Sequence, residues 1–243
     1  MHFPWIRSVR PNRQLPGVAP EIFHWSFDRP NGCIIEGDTG PRSVNFNGTW
    51  ENIGVNNWAA RLTNTTGATT ELPILYQNNV ITIKFRFRPK SYEGGGTSRY
   101  LYRSGAAPNN ATYVYMHTSY NSLYFGTVNA GGGIRRIASV NTLYPVNFWY
   151  DVVVSHTTWA WNSGAFGGGV GGTANNPRVW INGVEPTYSI EGGGATYHEW
   201  FNHRVLTIGN GGSNTAIDGF DCDLDYFKIF SGYQTYPATS TAN

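Results

Sequence analysis

The sequence has little charge, little cysteine and no long apolar run. Charged residues make up 13% of its 243 residues and the formal net charge is +2, against a usual charged share of roughly 25%. This excludes a solvated charged-helix protein and gives no reason to expect nucleic acid or an anionic membrane as a partner. No run approaches the ~18 apolar residues that a membrane span needs. Residues 1–20 also lack a signal-peptide stretch, so we expect no secretion by that route.

Glycine and aromatic residues are abundant instead. The chain contains Gly 30, Tyr 15, Phe 13 and Trp 9, and 40% of it is hydrophobic. Aromatic residues favour strands, and glycine favours the turns between them. Uneven glycine runs separate the apolar segments and mark loops. The composition therefore predicts an all-β domain with a sizeable core.

The clearest strand lies near the C-terminus, over residues 219–230. Its apolar and polar residues alternate, which predicts a strand with one buried face. The pattern places on one face Phe220, Cys222, Leu224 and Tyr226, and on the other Asp221, Asp223, Asp225 and Phe227.

Further strand patterns occur along the chain, separated by turn clusters. They lie at residues 22–28, 81–89, 100–103, 113–116, 122–125, 148–155, 178–184 and 204–209. Asn182 and Gly183 form the strongest hairpin signal, because both residues accept a positive φ. We expect Trp25, Trp149 and Trp180, which lie inside these patterns, to be core residues.

Five or six of these segments, in this order, resemble laminin-G-like domains of the concanavalin A-like lectin and glucanase superfamily. The resemblance includes Ile22 to Asp28 as the opening strand, Arg178 to Val184 as a hairpin, and Phe220 to Phe230 as the closing strand. It implies an antiparallel two-sheet jelly-roll sandwich in which the first and last strands pair. We expect this domain to span residues 21–236, between an extended arm at 1–20 and a flexible tail at 237–243.

The resemblance also implies that Cys33 and Cys222 lie at the same end of the first and last strands. A disulfide between them is then one interpretation. Two small buried hydrophobic residues are the other, because two cysteines fix no framework by themselves.

The row Asp221, Asp223, Asp225 is the candidate for chemistry. Glycoside hydrolases on the same scaffold use carboxylates in a row on one strand, typically Glu-x-Asp-x-Glu, whereas this strand contains three Asp and no Glu. A second interpretation is a Ca²⁺ site formed by these three residues with Asp38, because calcium prefers oxygen ligands. In a third, the aspartates simply keep a strand face soluble.

Aromatic residues in two loop segments are candidates for ligand binding. Trp159 and Trp161 lie in the glycine-rich segment 156–177, and Tyr197 and Trp200 lie in 190–203. Such rings stack on sugar rings and anchor protein interfaces. They can equally fold back as caps over the ends of the sandwich.

The arm at residues 1–20 combines aromatic and basic side chains with four prolines, which favour extended chain. The candidates for anchoring it to a partner are Phe3, Trp5, Ile6, Arg7, Arg10 and Arg13. We therefore expect a non-catalytic component of a virus particle, such as a capsid decoration, head-fibre or tail-associated protein, and a homo-oligomer or docked assembly. A carbohydrate-binding lectin and a glycosidase are the alternatives.

Overall fold

The structure is a computed structural model, and it describes residues 21–26, 45–55, 57–63, 65–71, 80–91, 98–104, 111–117, 122–128, 135–140, 144–157, 178–192, 205–209 and 218–231. These segments form the strands β1 (Glu21–Ser26), β2 (Asn45–Phe46), β3 (Thr49–Gly54), β4 (Asn57–Leu62), β5 (Gly67–Glu71), β6 (Val80–Pro89), β7 (Ser98–Ser104), β8 (Ala111–His117), β9 (Ser122–Val128), β10 (Arg135–Val140), β11 (Tyr150–Thr157), β12 (Arg178–Ile181), β13 (Tyr188–Gly192), β14 (Val205–Gly209), β15 (Asp218–Gly219) and β16 (Cys222–Ser231). In these segments no helix is long and apolar enough to cross a membrane.

The strands build two sheets. The first sheet has seven strands in the order β12-β11-β6-β16-β4-β3, with β1 also paired to β16. The second has nine, in the order β13-β10-β9-β8-β7-β14-β5-β2, with β15 beside β7. Apart from the two-residue parallel contact of β15 with β7, the pairings are antiparallel. The expected antiparallel two-sheet sandwich is confirmed.

The core lies between the two sheets. The first sheet contributes Trp25, Phe85 and Leu224, and the second contributes Leu101 and Ile208, all at most 2% exposed. Burying each such side chain stabilises the fold by about 1.5–3 kcal/mol. Because side chains alternate along each strand, both sheets direct large apolar side chains into one shared interior.

The first and last strands pair as expected. In the antiparallel register of β1 with β16, Trp25 is opposite Phe227 and Ser26 is opposite Tyr226. The Phe23 and Phe227 rings also meet edge to face, with centroids 6.2 Å apart. The proposed adjacency of residues 22–28 and 220–230 is therefore confirmed over the described part, Glu21–Ser26.

The predicted alternation of β16 is wrong after Leu224. A β-bulge interrupts the pairing with β6, where Leu224 is opposite Phe87 but Tyr226 is opposite Arg86. Asp225 is the extra residue, and an extra residue reverses the faces of all that follow. Phe227 and Ile229 thus enter the core, and Tyr226 lies on the opposite side.

Positive φ angles occur in two places that bear on the sequence. One confirms the predicted hairpin turn, and the other shows why a glycine is required. Asn182 and Gly183 have φ angles of 49° and 81°, so the predicted hairpin turn is confirmed. Gly209 ends β14 with a φ of +64°, and a Cβ there would lie 2.7 Å from the Thr66 carbonyl oxygen. Only glycine fits this position without strain.

The expectation that three tryptophans are core residues is confirmed for Trp25 and Trp180, which are buried, and is wrong for Trp149, which is half-buried. Trp25 is fully buried between the sheets, whereas Trp180 is buried outside that central cluster. The reason is the strand period of two, because Tyr150 and Val179 occupy the inward positions beside the two tryptophans that lie outside the cluster.

Cys222 is a free thiol that is completely buried. Burial raises the pKa of this thiol well above its usual value, so it remains neutral. The disulfide interpretation is therefore not supported, and Cys222 behaves as a small hydrophobic residue. Its suggested partner Cys33, the arm at residues 1–20 and the tail at 237–243 lie outside the described residues.

Candidate functional site

The polar side chains of the first sheet gather on the side opposite the core, which we call the outer face. Strands β6 and β16 are neighbours there, and both alternate in sequence. Phe85 and Phe87 point into the core, so Lys84, Arg86 and Arg88 project outward. The aspartates of β16 face these cations. The outer face therefore pairs a row of bases with a row of acids.

Asp223 is the centre of the first group on this face. Its side chain is 0% exposed, although it points away from the core. Its Oδ2 lies 2.6 Å from Arg88 Nη2 and 2.9 Å from Lys90 Nζ. Arg61 Nε lies 3.7 Å from Oδ1. Three cationic side chains therefore enclose one carboxylate, which a buried charge requires.

The neighbouring carboxylates are paired in the same way. Asp221 lies 2.5 Å from Arg61 Nη2 and accepts a hydrogen bond from Ser91 Oγ at 2.7 Å. Asp225, at the bulge, lies 3.0 Å from Arg86 Nη1. We call this group the paired region, and it consists of Glu51, Arg61, Arg86, Arg88, Lys90, Asp221, Asp223 and Asp225.

Glu51 and Asp223 share their cationic partners. Glu51 Oε1 lies 2.7 Å from Arg88 Nη2 and 3.2 Å from Lys90 Nζ. Burial raises the pKa of Asp223, against the hydrogen bonds from Lys90 and Arg88. Burial also acts to raise the pKa of Glu51, but the hydrogen bond from Lys90 and the positive charges of Lys90 and Arg88 lower it overall. The pKa values of the two carboxyls are thus shifted in opposite directions.

Trp149 covers part of this group. Its ring centroid lies 5.0 Å from the Arg86 guanidinium carbon and 4.9 Å from that of Arg88. Both distances fit cation–π contacts, which strengthen when the cation is shielded from water. Trp149 therefore forms an apolar cover over the paired region.

This arrangement leaves the aspartate row little capacity for the suggested chemistry. A catalytic carboxyl must reach the substrate, and Asp223 is not exposed. Each of the three aspartates is instead bound to a cation. The described residues contain no cluster of His, Cys, Asp or Glu suited to a metal ion. Asp38, the fourth suggested ligand, lies outside them.

A second group occupies the same face on the other side of the bulge. Lys228 on β16 is directly opposite Lys84 on β6. Glu21 Oε2 lies 3.6 Å from Lys228 Nζ, and Glu21 Oε1 lies 3.3 Å from His24 Nδ1. Lys84 Nζ stands 5.0 Å from the Phe230 ring centroid. We call Glu21, His24, Lys84, Lys228 and Phe230 the lysine region.

The predicted ligand-binding aromatics Trp159, Trp161, Tyr197 and Trp200 lie outside the described residues. The cations that pair with the aspartates were not identified from the sequence. A signal was present, because Lys84, Arg86 and Arg88 alternate with phenylalanine just as Asp221, Asp223 and Asp225 alternate with apolar residues. Two such strands side by side predict facing charges.

Comparison with known proteins establishes the fold. No protein-family model matches the chain. No curated protein sequence is significantly similar to it. Several solved structures do match at the level of the backbone.

One is domain 4 of AbnA, a GH43 extracellular arabinanase from Geobacillus stearothermophilus, in complex with arabinotriose. It has a TM-score of 0.55 at 15% identity, over 88% of this chain and 93% of that one. A second is botulinum neurotoxin type C, whose cell entry depends on two ganglioside molecules, with a TM-score of 0.56 at 16% identity over 87% and 47%. A third is the binding domain of botulinum neurotoxin DC in complex with SialylT, with a TM-score of 0.55 at 12% identity over 87% and 48%.

The chain therefore has the concanavalin A-like jelly-roll fold that the sequence resemblance implied. It spans about half the length of the neurotoxin chains and nearly all of the arabinanase domain. At these identities the likeness shows the fold alone.

Proposed function

We propose that this chain is a non-catalytic binding module that recognises carbohydrate. The observation that carries the proposal is the state of the aspartate row, because all three carboxylates are bound to cations and Asp223 is enclosed. The fold supports it, since the similar structures include a domain in complex with arabinotriose and a toxin that depends on gangliosides for cell entry. Fold alone does not give function, so the proposal depends on both observations.

Binding of the full chain to an array of neutral and acidic glycans tests this function directly. We expect specific binding to a limited set of glycans, with no release of shortened sugars on prolonged incubation. Repeating the array with a chelator separates a calcium-dependent site from a calcium-independent one. Binding to no glycan would overturn the proposal. Hydrolysis of β-glucans that is lost in Asp223→Asn would replace it with the glycosidase alternative.

The proposal extends to where the module acts. Its support is the sequence of residues 1–20, which combines Phe3, Trp5 and Ile6 with three arginines and no acidic residue. Large apolar groups on a charged, proline-rich segment suit a surface that covers them. We infer an arm that anchors the domain to a virus particle or to a neighbouring subunit, so that the sandwich is displayed outward. Loss of particle attachment on deletion of residues 1–20, with the domain still folded, is the expected result; undiminished attachment contradicts it.

A further inference from the structure

The lysine region differs from a structural ion pair because it contains two lysines and only one carboxylate. Lys84 and Lys228 are direct cross-strand neighbours in the antiparallel pairing of β6 and β16. Side chains in such a pair stand about 4.5–5.5 Å apart at Cβ, and like charges there destabilise the sheet. Glu21 contacts Lys228 and also His24. Two lysines thus share one glutamate, and the imbalance calls for another anion.

Lys84 is the member of the pair with no acid of its own. Within the described segments no carboxylate forms an ion pair with it, and its closest charged neighbour across the strand is another lysine. Burial and the charge of Lys228 lower the pKa of Lys84. Its ammonium lies over the ring of Phe230, which is buried and supplies no hydrogen-bond acceptor. An incoming carboxylate would therefore give Lys84 an acidic partner that no described residue supplies.

The row beside the lysine pair can bind hydroxyl groups. Arg86 is 36% exposed and Asp151 is 39% exposed on their side chains. Tyr226 donates a hydrogen bond to Asp151 Oδ1 at 3.0 Å, and Arg86 Nε stands 3.9 Å from Asp151 Oδ2. A carboxylate and a guanidinium side by side can accept from and donate to neighbouring sugar hydroxyls. This polar row lies next to the lysines, because Tyr226 and Arg86 each stand two residues from them along their strands.

We propose that Lys84 and Lys228 form a binding site for the carboxylate of an acidic sugar, whose hydroxyl groups contact Arg86, Asp151 and Tyr226. The inference rests on the proposed function and names its ligand class. A single lysine pair matches a single carboxylate, whereas an acidic peptide would need a longer run of cations. The paired region does not compete for the carboxylate of the sugar, since its cations, including Arg86, already have carboxylate partners.

Titration of the full chain by calorimetry tests the site with four probes. Sialyllactose carries a terminal carboxylate, trigalacturonate carries a carboxylate on each ring, lactose carries none, and hexaglutamate is the acidic peptide. We expect sialyllactose or trigalacturonate to bind at least about tenfold more tightly than lactose, as an added charge-assisted contact implies. We also expect binding to weaken as salt rises from about 50 to 500 mM, because salt screens exposed charges. The tighter of the two acidic sugars identifies the source of the carboxylate.

A matched pair of variants assigns the binding to the lysines. Lys84→Gln removes one positive charge from the proposed site. Arg178→Gln removes one from the same face, where the arginine also lies over a ring, that of Trp180 at 5.1 Å, but is already paired with Glu185. We expect Lys84→Gln to weaken binding of the acidic sugar about tenfold and Arg178→Gln to leave it within about twofold.

Each other outcome overturns the inference in a recognisable way. Equal loss in both variants would mean that net charge alone attracts the sugar. Tighter binding of hexaglutamate would assign the lysines to a peptide. Binding of lactose that equals that of the acidic sugars would leave the proposed carbohydrate function standing without this site. Binding of no sugar at all would overturn both.

Discussion

The paired region and the lysine region lie on one face of one sheet and differ in how their positive charges are balanced. In the paired region each of four cations contacts a carboxylate; these cations are Arg61, Arg86, Arg88 and Lys90. The central carboxylate, that of Asp223, is not exposed to water. In the lysine region two cations stand opposite each other with a single glutamate beside them. The bulge at Asp225 separates the two. In the first arrangement every cation is neutralised by a carboxylate, whereas the second keeps binding capacity at some cost to stability.

Among the substitutions, the largest expected effect comes from breaking the paired region at its centre. Asp223→Ala leaves Arg88 and Lys90 next to a buried vacancy, and removal of one member of a buried ion pair costs about 3–5 kcal/mol of unfolding free energy. Lys84→Met on the same face should change that free energy by less than about 1 kcal/mol, because relief of like charge and loss of the ring contact oppose each other.

Urea unfolding of the wild type and of these two variants measures the difference. Circular dichroism before unfolding checks that each variant retains its strands. Similar losses in both variants would contradict the contrast between the two regions.

Deletion of Asp225 is expected to have an intermediate effect. Leu224 and Tyr226 already pair with Phe87 and Arg86, which are adjacent in sequence, so removal of the extra residue leaves a continuous register. The expected cost is the ion pair with Arg86, on the order of 1 kcal/mol.

Deletion of Lys228 is the matched control, since it turns Ile229 out of the core and should prevent folding. The two deletion variants are compared by thermal unfolding. If both deletions are equally disruptive, Asp225 is not a dispensable bulge residue.

A smaller effect is expected from pH on the acid side. The pKa of Glu51 is lowered in the folded state, against burial, by its contacts with Lys90 and Arg88. Its contribution to stability is therefore present above its unfolded pKa of about 4.5 and is lost as the pH falls through the lower folded value. Glu51→Gln should be less stable than the wild type at pH 7, and this difference should shrink on acidification. Denaturant midpoints measured from pH 7 down to pH 3 test it, and a constant difference would contradict it.

The smallest effect is expected on the alkaline side, from Lys84. Its folded pKa lies below the unfolded value of 10.5, because of burial and Lys228. The cost of holding it charged is present at neutral pH and is relieved as the pH rises from the folded pKa towards the unfolded one. Relative to Lys84→Met, the wild type should therefore gain stability across this interval. A difference between the two proteins that does not change between pH 7 and pH 10.5 would argue against a strained lysine pair.

The sequence predicts the parts of this molecule that depend on regular period-two patterns. The extent of β6 and the turn at Asn182 and Gly183 could be predicted, because alternation and turn chemistry are local. The pairing of β1 with β16 was implied by the resemblance to laminin-G-like domains and not by a local pattern. The bulge could not, since Asp225 and Tyr226 continue an acceptable alternation and only pairing with β6 shows the extra residue. The outward position of Trp149 could not be predicted either, because its face depends on where β11 begins.

Only the acidic half of the candidate site could be predicted from the sequence. The acidic row that begins just before β16 is visible as Asp221, Asp223 and Asp225, but its chemistry depends on which strand lies beside it. Once β6 is the neighbour, its alternating cations neutralise that row. Strand adjacency between residues more than 130 positions apart is a tertiary property. The lysine pair could not be predicted for the same reason, since Lys84 and Lys228 are opposite each other only because of the register after the bulge.

Titration of Lys84 by NMR, with its side chain isotopically labelled, tests the central claim most directly. The carboxylate of bound sialyllactose would stabilise the charged ammonium, so the account predicts that saturating sialyllactose raises the pKa of Lys84 towards its unfolded value, whereas lactose leaves it unchanged. A pKa of Lys84 that is the same with and without sialyllactose, although the sugar binds, would contradict the account.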